Sequence, residues 1–300
     1  MSNPTTGQPV VAGVDGSDRS LHGVRLAAEE ARLRDAPLRL VHAMPWPLRG
    51  IVTPPPPGTD LHALLRGSAE AVLQGPAAEA EAVLGAERVT RSVVEGPPAE
   101  ALCAASADAQ LLVVGSRGGG GVTGLAVGST ATGVVAAAQC PVLVLPDDTG
   151  VTVSRRRSVV VGVEGRPGDD EVLAFAVTEA AVRDTDLIAV HVWQDVRLEA
   201  AHEALSPPVD WGGVRAAEER VLAETLAGWR AEEPDLEIRE VVLRDRTARG
   251  LLMVALTAEL LVVGHRRRHR LAAFGSTTHG VLHRAGCPLA VVPVTAGPER

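Results

Sequence analysis

The second half of this chain repeats the first, and that repeat limits the fold more than any other feature. Val-Ala-Gly-Val-Asp-Gly at 11–16 returns as Val-Val-Gly-Val-Glu-Gly at 160–165, Leu-Val-His at 40–42 as Ala-Val-His at 189–191, and Leu-Leu-Val-Val-Gly at 111–115 unchanged at 260–264. The offset is 149 each time (160 − 11, 189 − 40, 260 − 111). Further on it falls to 147 (275 − 128): Gly-Ser-Thr at 128–130 returns at 275–277, and Cys-Pro-Val-Leu-Val at 140–144 as Cys-Pro-Leu-Ala-Val at 287–291. The second copy has therefore lost two residues inside the loop that follows Gly115. A duplicated unit of this length implies two domains of one fold, each large enough to bury a core without disulfides or metals.

Within each copy, short apolar runs alternate with longer stretches of helical periodicity. Strands are expected near Val10–Val14, Leu38–Ala43, Arg88–Val94, Leu111–Val114 and Val142–Leu145, and helices near Ser20–Arg34, Leu61–Leu84, Ala99–Ser106 and Ser129–Ala138. The second copy offers strands near Val159–Val163, Leu187–Val192, Glu237–Leu243, Leu260–Val263 and Leu289–Val292. Runs made almost wholly of Val and Leu belong to parallel strands covered on both faces. Right-handed crossovers then give a doubly wound, Rossmann-like α/β sandwich, which binds ligands at the carboxyl ends of its strands. The expected layout is one domain over residues 8–146, a polar linker over 147–157 ending in three arginines, and a second domain over 158–294. Pro45 to Pro57 reads as a stiff surface loop.

The chemistry concentrates where the first copy has its extra residues. From Leu111 to Thr130 an apolar run gives way to a loop of glycines and then to Gly128-Ser129-Thr130, at the start of a helical pattern. Glycines let backbone amides approach an oxyanion without a Cβ in the way, and a helix start adds amides and a positive dipole end. The order is that of a phosphate site. Its spacing, Gly115-x2-Gly118-x9-Gly128-Ser129, resembles the phosphate loop of the ATP-binding branch of the universal stress proteins.

That resemblance covers residues 8 to 294 and implies a five-stranded sheet of order 3-2-1-4-5 in each copy, so two tandem doubly wound parallel sheets. It also implies ATP as the ligand of the first copy, with magnesium arriving on the phosphates. The implied site residues are Gly13, Val14 and Asp15 at the end of the first strand, Ala43 after the second, Gly115, Ser116, Arg117 and Gly118 in the loop, and Gly128, Ser129 and Thr130 at the helix start. An aspartate at position 15 can accept a hydrogen bond from an adenine amino group or a ribose hydroxyl, or it can cap the next helix. The family's aspartate there contacts the base, while Ser17 reads as the cap. Arg117 can cover phosphates or point to water. Ala43 is assigned through its backbone alone.

The second copy departs from this pattern. Asp15 becomes Glu164, Ser17 becomes Arg166, Gly118 becomes Arg267, and the loop reads His265-Arg-Arg-Arg-His-Arg270. Bulky side chains and two missing residues should spoil an amide cradle. The basic loop either binds a phosphorylated or acidic partner through arginine forks or is a solvated positive segment.

Composition removes several functions. All 29 basic residues are arginine, so a Walker-type phosphate loop and lysine-based covalent chemistry are absent. A net charge of −8 argues against general nucleic-acid binding. No apolar run is long enough to cross a membrane, and the amino-terminal residues do not form a signal peptide, so a cytoplasmic location is expected. The three cysteines form no C-x-x-C pair and read as small packing residues, and His42 and His191 as packed strand histidines. Gly119 to Gly124 satisfies G-x-G-x-x-G, but it does not lie at the unit's first strand–helix turn, so NAD binding is not the reading. Three functions follow: an ATP-binding stress or growth regulator with a protein partner, a slow ATPase or autokinase acting near Ser129, Thr130 and Thr132, or an interaction module whose short, edge-like terminal strands serve a homodimer.

Overall fold

The computed structural model describes residues 7–46, 58–118, 127–146, 158–194, 210–266 and 275–294. The chain divides into two compact units, Met1–Thr149 and Gly150–Arg300. The expected linker, most of the proline-rich loop and the arginines after Arg266 lie outside the described residues.

The first unit runs β1 (Val10–Gly13), α1 (Asp18–Leu33), β2 (Leu38–Met44), α2 (Leu61–Leu84), β3 (Val89–Glu95), α3 (Pro98–Ala105), β4 (Leu111–Gly115), α4 (Ser129–Ala137) and β5 (Val142–Leu145). Its strands are all parallel, in the order β3-β2-β1-β4-β5. The second unit repeats this as β6 (Ser158–Val163), α5 (Asp169–Val182), β7 (Asp186–Trp193), α6 (Trp211–Glu232), β8 (Ile238–Arg244), α7 (Thr247–Val254), β9 (Leu260–Arg266), α8 (Ser276–Leu282) and β10 (Leu289–Val294). Its order is β8-β7-β6-β9-β10, again all parallel. Both units therefore have the 3-2-1-4-5 arrangement.

Neighbouring strand residues point to opposite faces of a sheet. Val10 and Val11, Leu111 and Leu112, and Val159 and Val160 are all completely buried, so both faces of each central strand are covered. That explains why these strands read as unbroken apolar runs. Helix α1 begins at Ser17, whose hydroxyl accepts from the Ser20 amide at 3.2 Å, and it buries Val24, Ala27, Ala28 and Ala31, an i, i+3, i+4, i+7 stripe. The last turn of α1 holds a buried ion pair, Glu30 with Arg34, which recurs 149 residues later (179 − 30) as Glu179 with Arg183. Each helix then ends on an aspartate in the left-handed region, Asp35 at φ 48° and Asp184 at φ 50°.

His42, His191, Cys140 and Cys287 occupy structural positions. His42 Nδ1 lies 2.7 Å from the Val14 carbonyl oxygen, and His191 Nδ1 lies 2.9 Å from that of Val163, so each ties the end of a second strand to the end of a first. Cys140 and Cys287 are buried, and burial pushes the Cys140 thiol up to about 12.

The units differ most along the fourth strand. β4 ends at Gly115, paired with Leu145, whereas β9 runs on through His265 and Arg266, paired with Pro293 and Val294. Where the first unit turns into its glycine loop, the second continues as sheet. Ser116 and His265 are equally buried, so the difference lies in the backbone pairing: His265 and Arg266 find partners in Pro293 and Val294, whereas the pairing of β4 stops at Gly115 with Leu145.

Candidate functional site

A cleft of about 310 Å³ opens in the first unit at the carboxyl ends of β1, β2 and β4. Gly13, Val14 and Asp15 reach it from the end of β1, Ala43 from β2, Gly115, Ser116, Arg117 and Gly118 from β4 and the start of its loop, and Gly128, Ser129 and Thr130 from the start of α4. All eleven residues singled out in the sequence line this one space. In a doubly wound sheet this is where the two directions of winding leave a crevice.

Two hydrogen bonds set the mouth of the glycine loop. The Ser116 amide donates to the Leu145 carbonyl at 2.8 Å, fixing the loop's exit to β5, and the Gly128 amide donates to the Ser116 carbonyl at 2.7 Å. The second bond brings the far end of the loop back to its start and sets the first turn of α4 beside Gly115–Gly118. Helix α4 has Gly128 as its N-cap, no side-chain cap and no acidic residue in its first turn. Its opening amides and positive dipole end are left for a ligand oxygen. Just behind, the Thr132 amide and hydroxyl both donate to the Gly128 carbonyl, at 3.1 and 2.9 Å.

Asp15 and Arg117 are the only charged side chains lining the cleft among the described residues. One carboxylate oxygen of Asp15 accepts from the Ser17 amide at 3.0 Å and from its hydroxyl at 2.6 Å. Ser17 is thus the helix cap, and it also orients Asp15. The other carboxylate oxygen stands 2.5 Å from where a Cβ on Gly118 would lie, so a side chain there would collide with it. Glycine at 118 is what allows the loop backbone to pass beside the carboxylate.

Six further residues line the cleft that the spacing did not reveal: Ser20, Val41, Pro98, Leu102, Val114 and Ala131. Pro98 and Leu102 lie one helical turn apart on α3, and Val41 lies two residues before Ala43 on the same face of β2. That periodicity was legible, but nothing in sequence tells which helix face closes a crevice. Leu102 methyls lie 3.0 and 3.3 Å from a Cβ built on Gly13, so that glycine lets α3 approach the strand.

In the second unit the polar side chains at the matching strand ends bond internally, while α8, like α4, starts on a glycine N-cap with no side-chain cap. Asp169, the counterpart of Ser20 (169 − 149), is buried, and its Oδ2 accepts from the amides of Glu164, Gly165 and Arg166 at 3.1, 2.7 and 3.0 Å. Burial holds its carboxyl above the ordinary aspartate value, although the three amides pull the other way. Arg266, the counterpart of Arg117, reaches Glu164, the counterpart of Asp15, at 3.4 Å and donates to the Pro167 carbonyl at 3.1 Å. Helix α5 opens with Asp169, Asp170 and Glu171, which occupy the positive end of its dipole with the protein's own charge. Val294 packs against Gly168 at the start of the same helix. Further along that edge, the Arg244 guanidinium stacks on Trp211 at 3.4 Å.

Among the described residues no cluster of three or more His, Cys, Asp or Glu stands close enough to hold a metal, and no helix is long and apolar enough to cross a membrane.

Comparison with known proteins agrees with this duplicated architecture. The universal stress protein family matches residues 7–146 and again 155–293. A universal stress protein of Mycobacterium tuberculosis is 34% identical over 300 residues, covering 97% of this chain and 98% of its own. A second from the same organism is 33% identical over 298 residues, covering 97% and 99%. Among solved structures, a universal stress protein from Archaeoglobus fulgidus superposes with a TM-score of 0.69 at 19% identity over 96% of both chains.

Proposed function

The chain belongs to the universal stress protein family, and on that premise we propose that its first unit binds an adenine nucleotide, ATP, as a regulatory ligand, while its second unit binds none at the equivalent place. The observation that carries this reading is the convergence of Asp15, the loop Gly115–Gly118 and the open amino end of α4 on a single cleft. Asp15 accepts from the base or ribose, the Ala43 backbone flanks the base, and the amides and hydroxyls of Ser129 and Thr130 receive the phosphates with Arg117 beside them. A magnesium ion that came with the phosphates would find hydroxyl oxygens at Ser129 and Thr130.

Among the described residues the cleft holds no histidine, and its one carboxylate is already oriented by Ser17, which favours binding over catalysis. ATP therefore acts by occupancy in a cytoplasmic regulator, stabilising the form that a protein partner or a second copy of the chain recognises. The second reading, slow phosphoryl transfer to Ser129 or Thr130, rests on both hydroxyls lining the cleft. The test is to denature purified protein and to identify and count the released nucleotide by mass spectrometry and absorbance. About one ATP per chain supports the reading. No nucleotide, and no uptake of added ATP, overturns it, while phosphate on Ser129 or Thr130 after incubation with ATP favours transfer.

A further inference from the structure

His279 and His283 stand one turn apart on α8 and its C-cap, and the His283 amide points back at the His279 carbonyl at 3.4 Å, so the turn between them is helical. This spacing puts both side chains on one face. Their rings do not splay apart: the centroids are 4.4 Å apart and the planes are inclined by 59°. His279 is exposed and His283 half-buried, and among the described residues neither ring has a hydrogen-bond partner. The first unit has nothing comparable, since its matching residues (279 − 147 and 283 − 147) are Thr132 and Ala136. The pair therefore belongs to the second unit alone and lies outside the features that the duplication explains.

We propose that His279 and His283 form a bidentate site for an imidazole-preferring divalent transition metal, nickel or copper in class, on the surface of the second unit. A metal about 2.1 Å from each ring nitrogen lies roughly 3.3 Å from each ring centre, so two rings bound at a right angle stand about 4.6 Å apart. The observed separation matches that cis arrangement and is shorter than the roughly 5.4 Å of a tetrahedral one, which favours tetragonal metals over zinc. Water completes the coordination. Arg284, next in sequence to His283, carries the same sign of charge as a metal ion, and its side chain is exposed to solvent. Closing the ring pair through a metal ties the last turn of α8 to its C-cap, so binding raises the stability of this unit.

The test is calorimetric titration of the full-length, untagged chain with a nickel salt, alongside His279→Gln, His283→Gln and the double variant. One nickel per chain is expected, with affinity down roughly tenfold or more in each single variant and the event lost in the double one. Circular dichroism establishes that the variants are folded. Because His279 is exposed, His279→Gln serves as the decisive variant should the half-buried position perturb the fold. Absence of nickel binding by the parent chain, or unchanged binding by the double variant, which would place the metal on other histidines, overturns the proposal.

Discussion

The two units build the same sheet from matching strands, yet one presents an open cleft where the other turns its polar groups on themselves. The difference arises from a few residues at the carboxyl edge. In the first unit the fourth strand stops at Gly115, the third residue of α1 is Ser20, and the first turn of α1 carries a single acid, Asp18. In the second the strand continues to Arg266, Asp169 fills a nest of three amides, and α5 opens with three carboxylates. The strand interiors, the Asp60 and Asp210 helix caps and the buried Glu–Arg pairs are shared because they maintain the fold. On the proposed reading, a duplicated fold gives up a ligand site in one copy and keeps its stability there because side chains supply the hydrogen bonds and charges that the ligand otherwise would.

The shared frame is tested first, because its disruption should have the largest effect. Arg34→Met and Arg183→Met each remove the guanidinium that pairs with a buried glutamate, and each should cost about 3–5 kcal/mol of the stability of its own unit in urea denaturation. Clearly unequal costs would mean the two pairs do different work.

The next test concerns the cleft. Gly118→Arg places a side chain against Asp15 and reproduces the residue the second copy carries in its loop. At a nucleotide concentration a hundredfold above Kd, the parent should gain about 2.7 kcal/mol, a rise of roughly 5–10 °C in the melting of the first unit. The variant should gain nothing, and a retained shift would show that the glycine loop is not where the ligand is held.

Asp169 sharpens the contrast from the other side. Its carboxyl is raised in the folded state by burial, so ionisation is disfavoured by folding: stability is fully present below the ordinary aspartate value and falls as pH rises through the higher folded value. Asp169→Asn retains an acceptor for the amides without the charge. Its urea midpoint relative to the parent should therefore climb with pH across that window, and a difference that is flat with pH would show that the carboxylate carries no such penalty.

The smallest effect expected is from Asp35→Gly and Asp184→Gly, which relieve left-handed backbone at equivalent helix ends and should each stabilise by about 1 kcal/mol or less.

Much of this was legible because a covered parallel strand is an unbroken apolar run and a repeat shows such runs twice. The 3-2-1-4-5 order came through family resemblance, since the pattern Val10–Gly13 does not say which strand lies beside it. Gly115–Gly118 and Gly128–Thr130 were legible because a glycine loop and a helix start are local signals, whereas Gly13, Val14, Asp15 and Ala43 came through the family resemblance. Leu102 and Ser20 were not legible, since their contribution depends on how α3 and α1 lean on the strand ends. The extension of β9 was also unread: His265 and Arg266 have no strand-like composition, and only pairing with Pro293 and Val294 makes them one. Nor does an aspartate such as Asp169 announce from sequence that it will turn inward onto the amides before it.

One consequence of the buried Cys140 bears on what kind of signal the chain can register. Oxidants react with thiolates, and a thiol raised to about 12 has on the order of one part in 10⁵ in that form at neutral pH. A buried sulfur held as the thiol is a poor target for peroxide, so Cys140 lacks the exposed thiolate on which redox sensing depends.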